Sequence, residues 1–281
     1  MNTILFHGSH EEVSGGRLRE ALLRVGAAEC DVLYVHTDMT FGLPALRRGA
    51  LLAELLGILE GLGVATLVFP TFTFSFCNHE PFDVRNSRTP MGALNEYARK
   101  SGRGRRSRDP LLSVYVLGDP LNLVDGLGPF SIGADSSYDR LHHCGKEARF
   151  LFFGADMRDC FTYTHYVEAV HGVPYRYNRE FSGTIVDGDQ TESSRVWLYS
   201  TYANCRLTTR PVVHDALHER GQLRTATVGD GPLCCVREKD AYETISQLLA
   251  HTPLCLTDGH FNADIKDTTY NPDGERIVSV R

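Results

Sequence analysis

Short apolar runs alternate with longer stretches of helical spacing along the first half of the chain. Buried strands are predicted at DVLYVHTDM, VATLVFPTFTF, SVYVLG and ARFLFFGADM. Apolar positions at helical spacing predict helices at residues 15–28, FGLPALRRGALLAELLGILEGLG and ALNEYARKSG, with Pro44 near the first turn of the second. The strand–helix–strand order indicates βαβ units in a mainly parallel sheet.

The pattern changes from about residue 178 onwards. EFSGTIVDGDQTESSRVWLYST predicts two alternating strands around a DGD turn. A further strand–turn–strand is predicted at TATVGDGPLCCVREKD. It lies between two predicted helices, at residues 211–222 and AYETISQLLAHTP. We therefore expect a three-layer α/β/α sandwich with a mainly parallel central sheet and a smaller antiparallel part in the second half. It would form one domain over residues 1–258, followed by a polar tail, 259–281.

Composition narrows the class of protein only modestly. The 281 residues are 42% hydrophobic and 23% charged, which is typical of soluble globular chains. The formal net charge of −6 disfavours nucleic acid as the main partner, because phosphates require a basic surface. Neither a signal peptide nor a run of about 20 apolar residues occurs, so we expect no membrane association. Eight scattered cysteines without a CxxC predict reduced thiols in a cytoplasmic protein.

The segment FTYTHYVEAVHGVPYRY, residues 161–177, places His165 and Glu168 three positions apart on one face of a predicted helix. An imidazole, with a reference pKa of about 6.5, is suited to act as a general base. A carboxylate one turn away can hold it in one tautomer. The same spacing is also common in pairs that only face solvent. Spacing alone leaves both interpretations open.

Polar residues follow several predicted strands, where ligands bind in α/β sheets. They occur at residues 36–40, at 71–73, in the loop 105–109 and at 154–165. Hydroxyls and backbone N–H groups gathered there could hold phosphates or a polar chain. No P-loop and no GxGxxG fingerprint is present.

Three further clusters have both a functional and a structural interpretation. The arginines within residues 103–108 are either an anion site for a phosphorylated cofactor or nucleotide, or a solvated loop. Residues 142–144 are His-His-Cys, but adjacent side chains point apart on a regular element, and we expect no metal. Cys160, five residues before His165, is either a nucleophile or a small buried thiol.

Several segments, in order, resemble the aminoglycoside 3-N-acetyltransferase family. They are LYVHTDMTFG, LVFPTFTFSF, RTPMGALNEYAR, RRSRDPLLSVYVLG and FFGADMRDCFTYTHYVEAVHGVPYR. The resemblance covers about residues 15–255. It implies a three-layer α/β/α fold, acyl-coenzyme A as cosubstrate, and transfer of the acyl group to an amino group of an amino sugar.

The resemblance also implies roles for particular residues. His165 would be the general base, with Glu168 beside it. The residues expected to bind the cofactor are His36, Thr37, Thr40, Thr71, Thr73, Arg106, Ser107 and Gly154. The residues expected to bind the substrate are Arg85, Asn86, Arg88, Asp109 and Tyr163.

The chain departs from the family pattern where acceptor specificity is expected. Thr37-Asp38-Met39-Thr40 replaces a serine-rich turn, Asp109 replaces a histidine, and an acidic residue is missing near position 211. These changes put an antibiotic acceptor in question. The segments THYVE…VPYRY and NS.TPMGALNEY more closely resemble the branch that acts on nucleotide-linked amino sugars, in surface-polysaccharide or natural-product biosynthesis. The diphosphate of such a sugar would meet Arg85, Arg88 and the arginines at 103–108.

Two alternatives remain for the function. One is an aminoglycoside 3-N-acetyltransferase that gives antibiotic resistance, and the other is a non-catalytic ligand-binding protein on the same fold. A homodimer is a further expectation.

Overall fold

The computed structural model describes residues 3–266, 268–270 and 276–278. The helices, in chain order, are α1 Gly15–Arg24, α2 Arg48–Glu60, α3 Ala93–Lys100, α4 Ser137–His143, α5 Met157–Cys160, α6 Tyr163–His171, α7 Thr209–Glu219 and α8 Glu238–His251. The strands are β1 Ile4–His7, β2 Glu12–Ser14, β3 Val32–Thr37, β4 Leu43–Pro44, β5 Thr66–Pro70, β6 Phe82–Asp83, β7 Arg105–Arg106, β8 Val114–Leu117, β9 Ala148–Phe153, β10 Arg176–Asp187, β11 Gln190–Thr201, β12 Leu223–Val228, β13 Gly231–Arg237, β14 Thr268–Tyr270 and β15 Arg276–Val278.

Seven strands form the central sheet, in the order β12-β13-β9-β3-β5-β8-β7. β3 pairs in parallel with both β5 and β9, and every other neighbouring pair is antiparallel. The strands β12, β9, β3, β5 and β7 therefore point one way, and β13 and β8 point the other. The prediction of a mainly parallel sheet holds for strand direction. Parallel pairing is confined to β9, β3 and β5, and each strand outside these three pairs antiparallel with its neighbours.

Helices cover both faces of this sheet, as the alternation within β3 shows. Val32 and Tyr34 belong to one hydrophobic core, and Leu33 and Val35 belong to the other. Helices α1 to α3 pack on the Leu33 side, while α4 to α8 pack on the Val32 side. The three-layer α/β/α architecture is thus confirmed.

The smaller antiparallel part is the long hairpin of β10 and β11, which pair along their whole length. Its first strand also pairs in parallel with β6. The Val32-side core receives Phe181 and Ile185 from β10 and Val196 and Leu198 from β11. The antiparallel unit expected in the second half is therefore present and attached to the sandwich.

The start of α2 differs from the sequence-based expectation. Pro44 lies in the short strand β4, paired with Phe6 of β1, and the helix begins only at Arg48. Proline lacks the N–H needed for a sheet ladder and is tolerated at such an edge. The small β2-β1-β4 sheet was not predicted.

The described part of the predicted tail packs against the hairpin. The Phe261 ring stacks on Tyr202 at 6.1 Å between centroids, and the Tyr177 hydroxyl donates to the backbone carbonyl of Lys266. Apart from β14 and β15, the remainder of the tail lies outside the described residues. The eight cysteines are thiols that form no disulfide within the described chain. No helix within the described ranges is long and apolar enough to cross a membrane.

Candidate active site

A groove of about 660 Å³ lies where the carboxyl ends of β3, β5 and β9 meet. Ligands bind at this edge of α/β sheets because the loops that follow parallel strands diverge there. Four of the residues expected to bind the cofactor line it: His36, Thr37, Thr40 and Gly154. The prediction that polar strand ends converge is confirmed for this set.

Gly154 fixes the shape of the groove floor. Its φ of +69° favours glycine, and a Cβ there would lie 2.3 Å from the backbone oxygen of Asp38. The Thr40 hydroxyl donates to the Gly154 carbonyl. The loop after β3 is thereby clamped against the end of β9.

His36 contributes a neutral imidazole to the groove wall. Its ring stacks on Phe152, with centroids 4.9 Å apart, and is 4% exposed. Burial lowers the pKa of His36 to about 3, so the ring is uncharged at neutral pH. Among the described residues its Nε2 has no hydrogen-bond partner.

Asn95 links three of the segments around the groove and was missed by the sequence analysis. Its side-chain oxygen accepts from Thr37 at 2.8 Å, and its amide donates to the backbone carbonyls of Pro70 and Met91 at 2.9 and 2.7 Å. It is fully buried and lines the groove. A signal was available, because asparagine is a poor residue for the interior of a helix unless its side chain has a specific partner.

Thr71 and Thr73 do not reach the groove, contrary to the expectation of cofactor binding. Pro70 and Phe72 line it instead. Side chains alternate in an extended chain, so the two threonines face the opposite side, where Thr73 donates to the carbonyl of Pro110 at 2.7 Å. Their hydroxyls are structural.

Arg106 and Ser107 are likewise removed from the groove. The buried Ser107 hydroxyl accepts from the backbone N–H of Val114 at 3.0 Å. The Arg106 guanidinium donates to the carbonyls of Thr71 and Ser87 beside a separate cavity. Both residues support the loop between β7 and β8.

The residues expected to bind the substrate are dispersed in the structure. Arg85 and Asn86 border the separate cavity, and the Asn86 amide donates to Asp83 at 2.9 Å. Arg88 is exposed and borders neither that cavity nor the groove. These three residues share one loop but do not form a site with His165.

Asp109 and Tyr163 also lie elsewhere. Asp109 borders a third cavity of about 390 Å³ and accepts from the Ser131 hydroxyl at 2.7 Å. Burial raises the pKa of Asp109 despite the hydrogen bond from Ser131. The buried Tyr163 hydroxyl donates to Glu238. Neither side chain lines the groove in the described structure.

His165 and Glu168 lie together on α6, which begins directly after a residue of the groove lining. Thr162, the residue before α6, lines the groove, and His165 follows in the first turn of the helix. His165 Nδ1 lies 2.7 Å from Glu168 Oε2, and the two side chains are 29% and 0% exposed. A fully buried carboxylate excludes the solvent-facing interpretation of the pair.

The Glu168 carboxylate is held by two residues that the sequence analysis did not assign. Arg176 Nε lies 2.8 Å from Oε2, and the Tyr175 hydroxyl donates to Oε1 at 2.6 Å. Burial alone would raise the pKa of Glu168, but Arg176 and His165 outweigh it and hold that pKa below its ordinary value. Glu168 is therefore ionised.

The end of α6 explains how these residues meet. Gly172 adopts a left-handed conformation that ends the helix, and the N–H of Val173 donates to the Glu168 carbonyl. The chain then returns towards the helix and brings Tyr175 and Arg176 to the carboxylate. The GVPYR turn was visible in the sequence, but the direction of its return was not.

Two neighbours of His165 Nδ1, Glu168 and Arg176, bear on its tautomer. Arg176 Nη2 also lies 2.7 Å from Nδ1, so Nδ1 could either donate to the carboxylate or accept from the guanidinium. A carboxylate can only accept, and it stabilises the proton on the nearest ring nitrogen. We assign the hydrogen to Nδ1, which leaves Nε2 with the lone pair that a general base needs.

Two other sequence expectations can be placed. Cys160 borders the groove, and its thiol donates to the carbonyl of Asp156. In the described part of the chain, no cluster of three or more histidines, cysteines or acidic residues is arranged to hold a metal ion.

Fold and site together define an α/β/α protein with a carboxylate-supported histidine beside a groove at the strand ends. The chain belongs to the aminoglycoside 3-N-acetyltransferase family, because the sequence model of that family matches residues 47–250. The family resemblance noted in the sequence is thereby confirmed. A comparison with curated proteins finds no match.

Solved structures share the fold over most of their length. AAC-IIIb in a binary complex with CoASH is 16% identical and has a TM-score of 0.74, over 85% of this chain and 97% of that one. The YokD protein from Bacillus subtilis is 15% identical, with a TM-score of 0.71, over 90% and 97%. A histidine-to-alanine mutant of AAC(3)-IVa in complex with a gentamicin is 20% identical, with a TM-score of 0.70, over 91% and 92%. At these identities the likeness establishes the fold alone.

Proposed function

We propose that the protein is an acyl-coenzyme A-dependent N-acyltransferase of the aminoglycoside 3-N-acetyltransferase type, with His165 as general base. One observation carries the proposal: a half-buried imidazole is paired at 2.7 Å with a buried, ionised Glu168, one helical turn after the groove-lining Thr162. Family membership gives this geometry its chemical context.

The groove wall formed by His36, Thr37, Thr40 and Gly154 is the proposed site of the coenzyme A thioester arm. Apart from the His36 imidazole, which is uncharged at neutral pH, these residues carry no ionisable side chain. A pantetheine-like arm is polar and uncharged, so such a wall suits it. AAC-IIIb, which shares the fold, is known in complex with CoASH.

The proposed reaction has two steps. The acceptor amine gives its proton to His165 Nε2 while its nitrogen forms a bond to the thioester carbonyl carbon. Backbone N–H or hydroxyl donors stabilise the resulting oxyanion. The carbon–sulfur bond then breaks, and the departing thiolate takes the proton from the imidazolium, which restores the base.

For the acceptor, we favour an aminoglycoside. Asp38, Asp156 and Asp159 line the groove, while no lysine or arginine does so in the described structure; Arg158, behind the lining, pairs with Asp156. A polycationic amino sugar fits an acidic cleft. The gentamicin complex of AAC(3)-IVa agrees with this class.

The nucleotide-linked amino sugar favoured by the sequence analysis has less support. The arginines invoked for its diphosphate, apart from Arg88 and Arg103, line a different cavity, together with Asn86. The role in polysaccharide or natural-product biosynthesis rested on the same interpretation of the acceptor. Both remain predictions.

An assay of coenzyme A thiol release tests this proposal. With acetyl-coenzyme A, we expect release with at least one aminoglycoside, an acylated product by mass spectrometry, and no release without acceptor. Release with nucleotide-linked amino sugars alone would overturn the acceptor assignment, and no release with any amine would overturn the enzymatic function.

A covalent route through Cys160 is tested in the same assay. The Cys160→Ala variant should retain turnover, because the proposed transfer is direct. Loss of turnover, with a covalent acyl adduct on the wild-type protein, would replace His165-assisted direct transfer by an acyl-cysteine intermediate.

A further inference from the structure

A second cavity, of about 720 Å³, lies at the β7 edge of the sheet, apart from the groove. Its walls come from the loop after β6, the end of α3, and β7 with the loop that follows it. Six cationic side chains line it: Arg85, Arg99, Lys100, Arg105, Arg106 and Arg108. Only two carboxylates, Asp125 and Asp187, share the described lining.

Part of this positive charge is already compensated. Arg99 pairs with Glu96 at 2.8 Å, Arg105 with Asp125 at 2.7 Å, and Arg108 with Glu192 at 2.7 Å. These pairs hold the walls of the cavity in place.

Arg85 and Arg106 differ from these arginines in having no ion pair with a described carboxylate. No described carboxylate lies within ion-pairing distance of either guanidinium. Arg106 is buried over the ring of Phe82 at 4.9 Å, and its N–H groups reach only neutral oxygens. Burial and the charge of Arg99 lower the pKa of Arg106 to about 9. The charges of Glu96, Asp83 and Asp109 only partly offset this lowering of the pKa, and an anionic ligand in the cavity would further favour the charged guanidinium.

Neither His165 nor Glu168 belongs to the described lining of the cavity. Asp187, in its lining, ends β10, whereas Arg176, beside Glu168, begins the same strand. Twelve residues of extended chain span roughly 35–40 Å at about 3.4 Å per residue. Asp187 thus lies a strand's length from Arg176, whereas another wall of the cavity approaches the groove, because Arg106 donates to the carbonyl of Thr71, which lies between the groove-lining Pro70 and Phe72.

We propose that this cavity binds the diphosphate group of a small molecule. The exposed guanidinium of Arg85 and the ammonium of Lys100, both in the lining, can donate N–H groups to phosphate oxygens. The volume lies within the range of small-molecule sites, about 300–1,000 Å³. The diphosphate could belong to a free nucleotide or to coenzyme A. The proposal does not depend on acyl transfer at His165.

Calorimetric titration of the full chain with inorganic pyrophosphate tests the site. Wild-type protein should bind it saturably, and binding should weaken as salt is added. The double variant Arg85→Ala, Lys100→Ala should weaken binding by about tenfold or more, since it removes charge-assisted contacts. Both residues are exposed, so the fold should survive, which a thermal melt verifies.

The matched control is Arg19→Ala, Arg24→Ala, which removes two cations from α1, outside the cavity lining. It should leave pyrophosphate binding unchanged. Displacement by UDP but not by coenzyme A would assign the site to free nucleotides, and displacement by coenzyme A would assign it to the cosubstrate. No saturable binding, or an equal loss in both double variants, would overturn the proposal. The acyl-transfer assay reads the other site separately.

Discussion

Two clusters in this protein share the same three residue types and differ in their surroundings. His165 with Glu168 and Tyr175 lies beside the groove, while His142 with Glu238 and Tyr163 lies between α4, α6 and α8. In each, a histidine Nδ1 lies 2.7 Å from a glutamate oxygen, and a tyrosine hydroxyl donates to that glutamate.

The differences lie in what stands behind each carboxylate and in front of each imidazole. Arg176 compensates Glu168, whereas Glu238 opens α8 and faces the positive end of that helix. The ring of His142 stacks on Tyr242 at 4.0 Å between centroids, whereas His165 follows the groove-lining Thr162 by one helical turn. A histidine–glutamate pair alone therefore does not identify a base, because access to a cleft is also needed.

The largest expected contrast is between the two histidines. His165→Ala should lower kcat/KM for acyl transfer by about 10²–10⁴-fold, the usual contribution of a general base. His142→Ala should leave turnover near that of the wild type. Steady-state thiol release measures both, and equal losses in the two variants would erase the proposed distinction.

The next contrast concerns the arginine that only one cluster has. Arg176→Met should destabilise the fold by about 3–5 kcal/mol, because it leaves the buried Glu168 carboxylate without its cation. Arg195→Met, at an exposed position on the same hairpin, serves as the control. Urea unfolding measures both, and matching midpoints would show that Glu168 needs no cation.

Acidification should expose the lowered pKa of Glu168. A carboxyl whose pKa is lower in the folded state adds stability above its unfolded pKa and loses it as the pH falls through the folded value. Thermal melts should thus show a loss of stability that begins below about pH 4.5. Glu168→Gln should make this loss shallower, and an unchanged slope would contradict the assignment.

The smallest effect is expected in the groove. Asp159→Asn should raise KM for an aminoglycoside by about two- to fivefold with kcat retained, because one partly solvated carboxylate contact contributes little. Asp264→Asn, at an exposed position outside the groove, is the control. Identical KM values in both variants would remove Asp159 from acceptor binding.

The sandwich could be predicted because its strands and helices carry strong local periodicity, as β3 shows with alternate residues in the two cores. The start of α2 could not, because Pro44 satisfies the rules for a first helical turn and for an edge strand equally well. Only pairing with Phe6 decides between them.

The site was predictable where chemistry follows from local spacing. His165 and Glu168 share a helix face, so their contact follows from the periodicity of the helix. Arg176 and Tyr175 arrive through a turn, and Asn95 through a packed helix, so their partners depend on tertiary structure. A motif does not reveal which side of an extended chain faces a ligand, and the structure places Thr71 and Thr73 outside the groove lining.

The most direct test of the central assignment is the tautomer of His165, read from ¹⁵N chemical shifts of histidine-labelled protein at a pH where the ring is neutral. A proton on Nδ1, held by Glu168, and an unprotonated Nε2 are the predicted result. A proton on Nε2, with Arg176 donating to Nδ1, would leave the ring unable to accept the proton of an amine and would contradict the account.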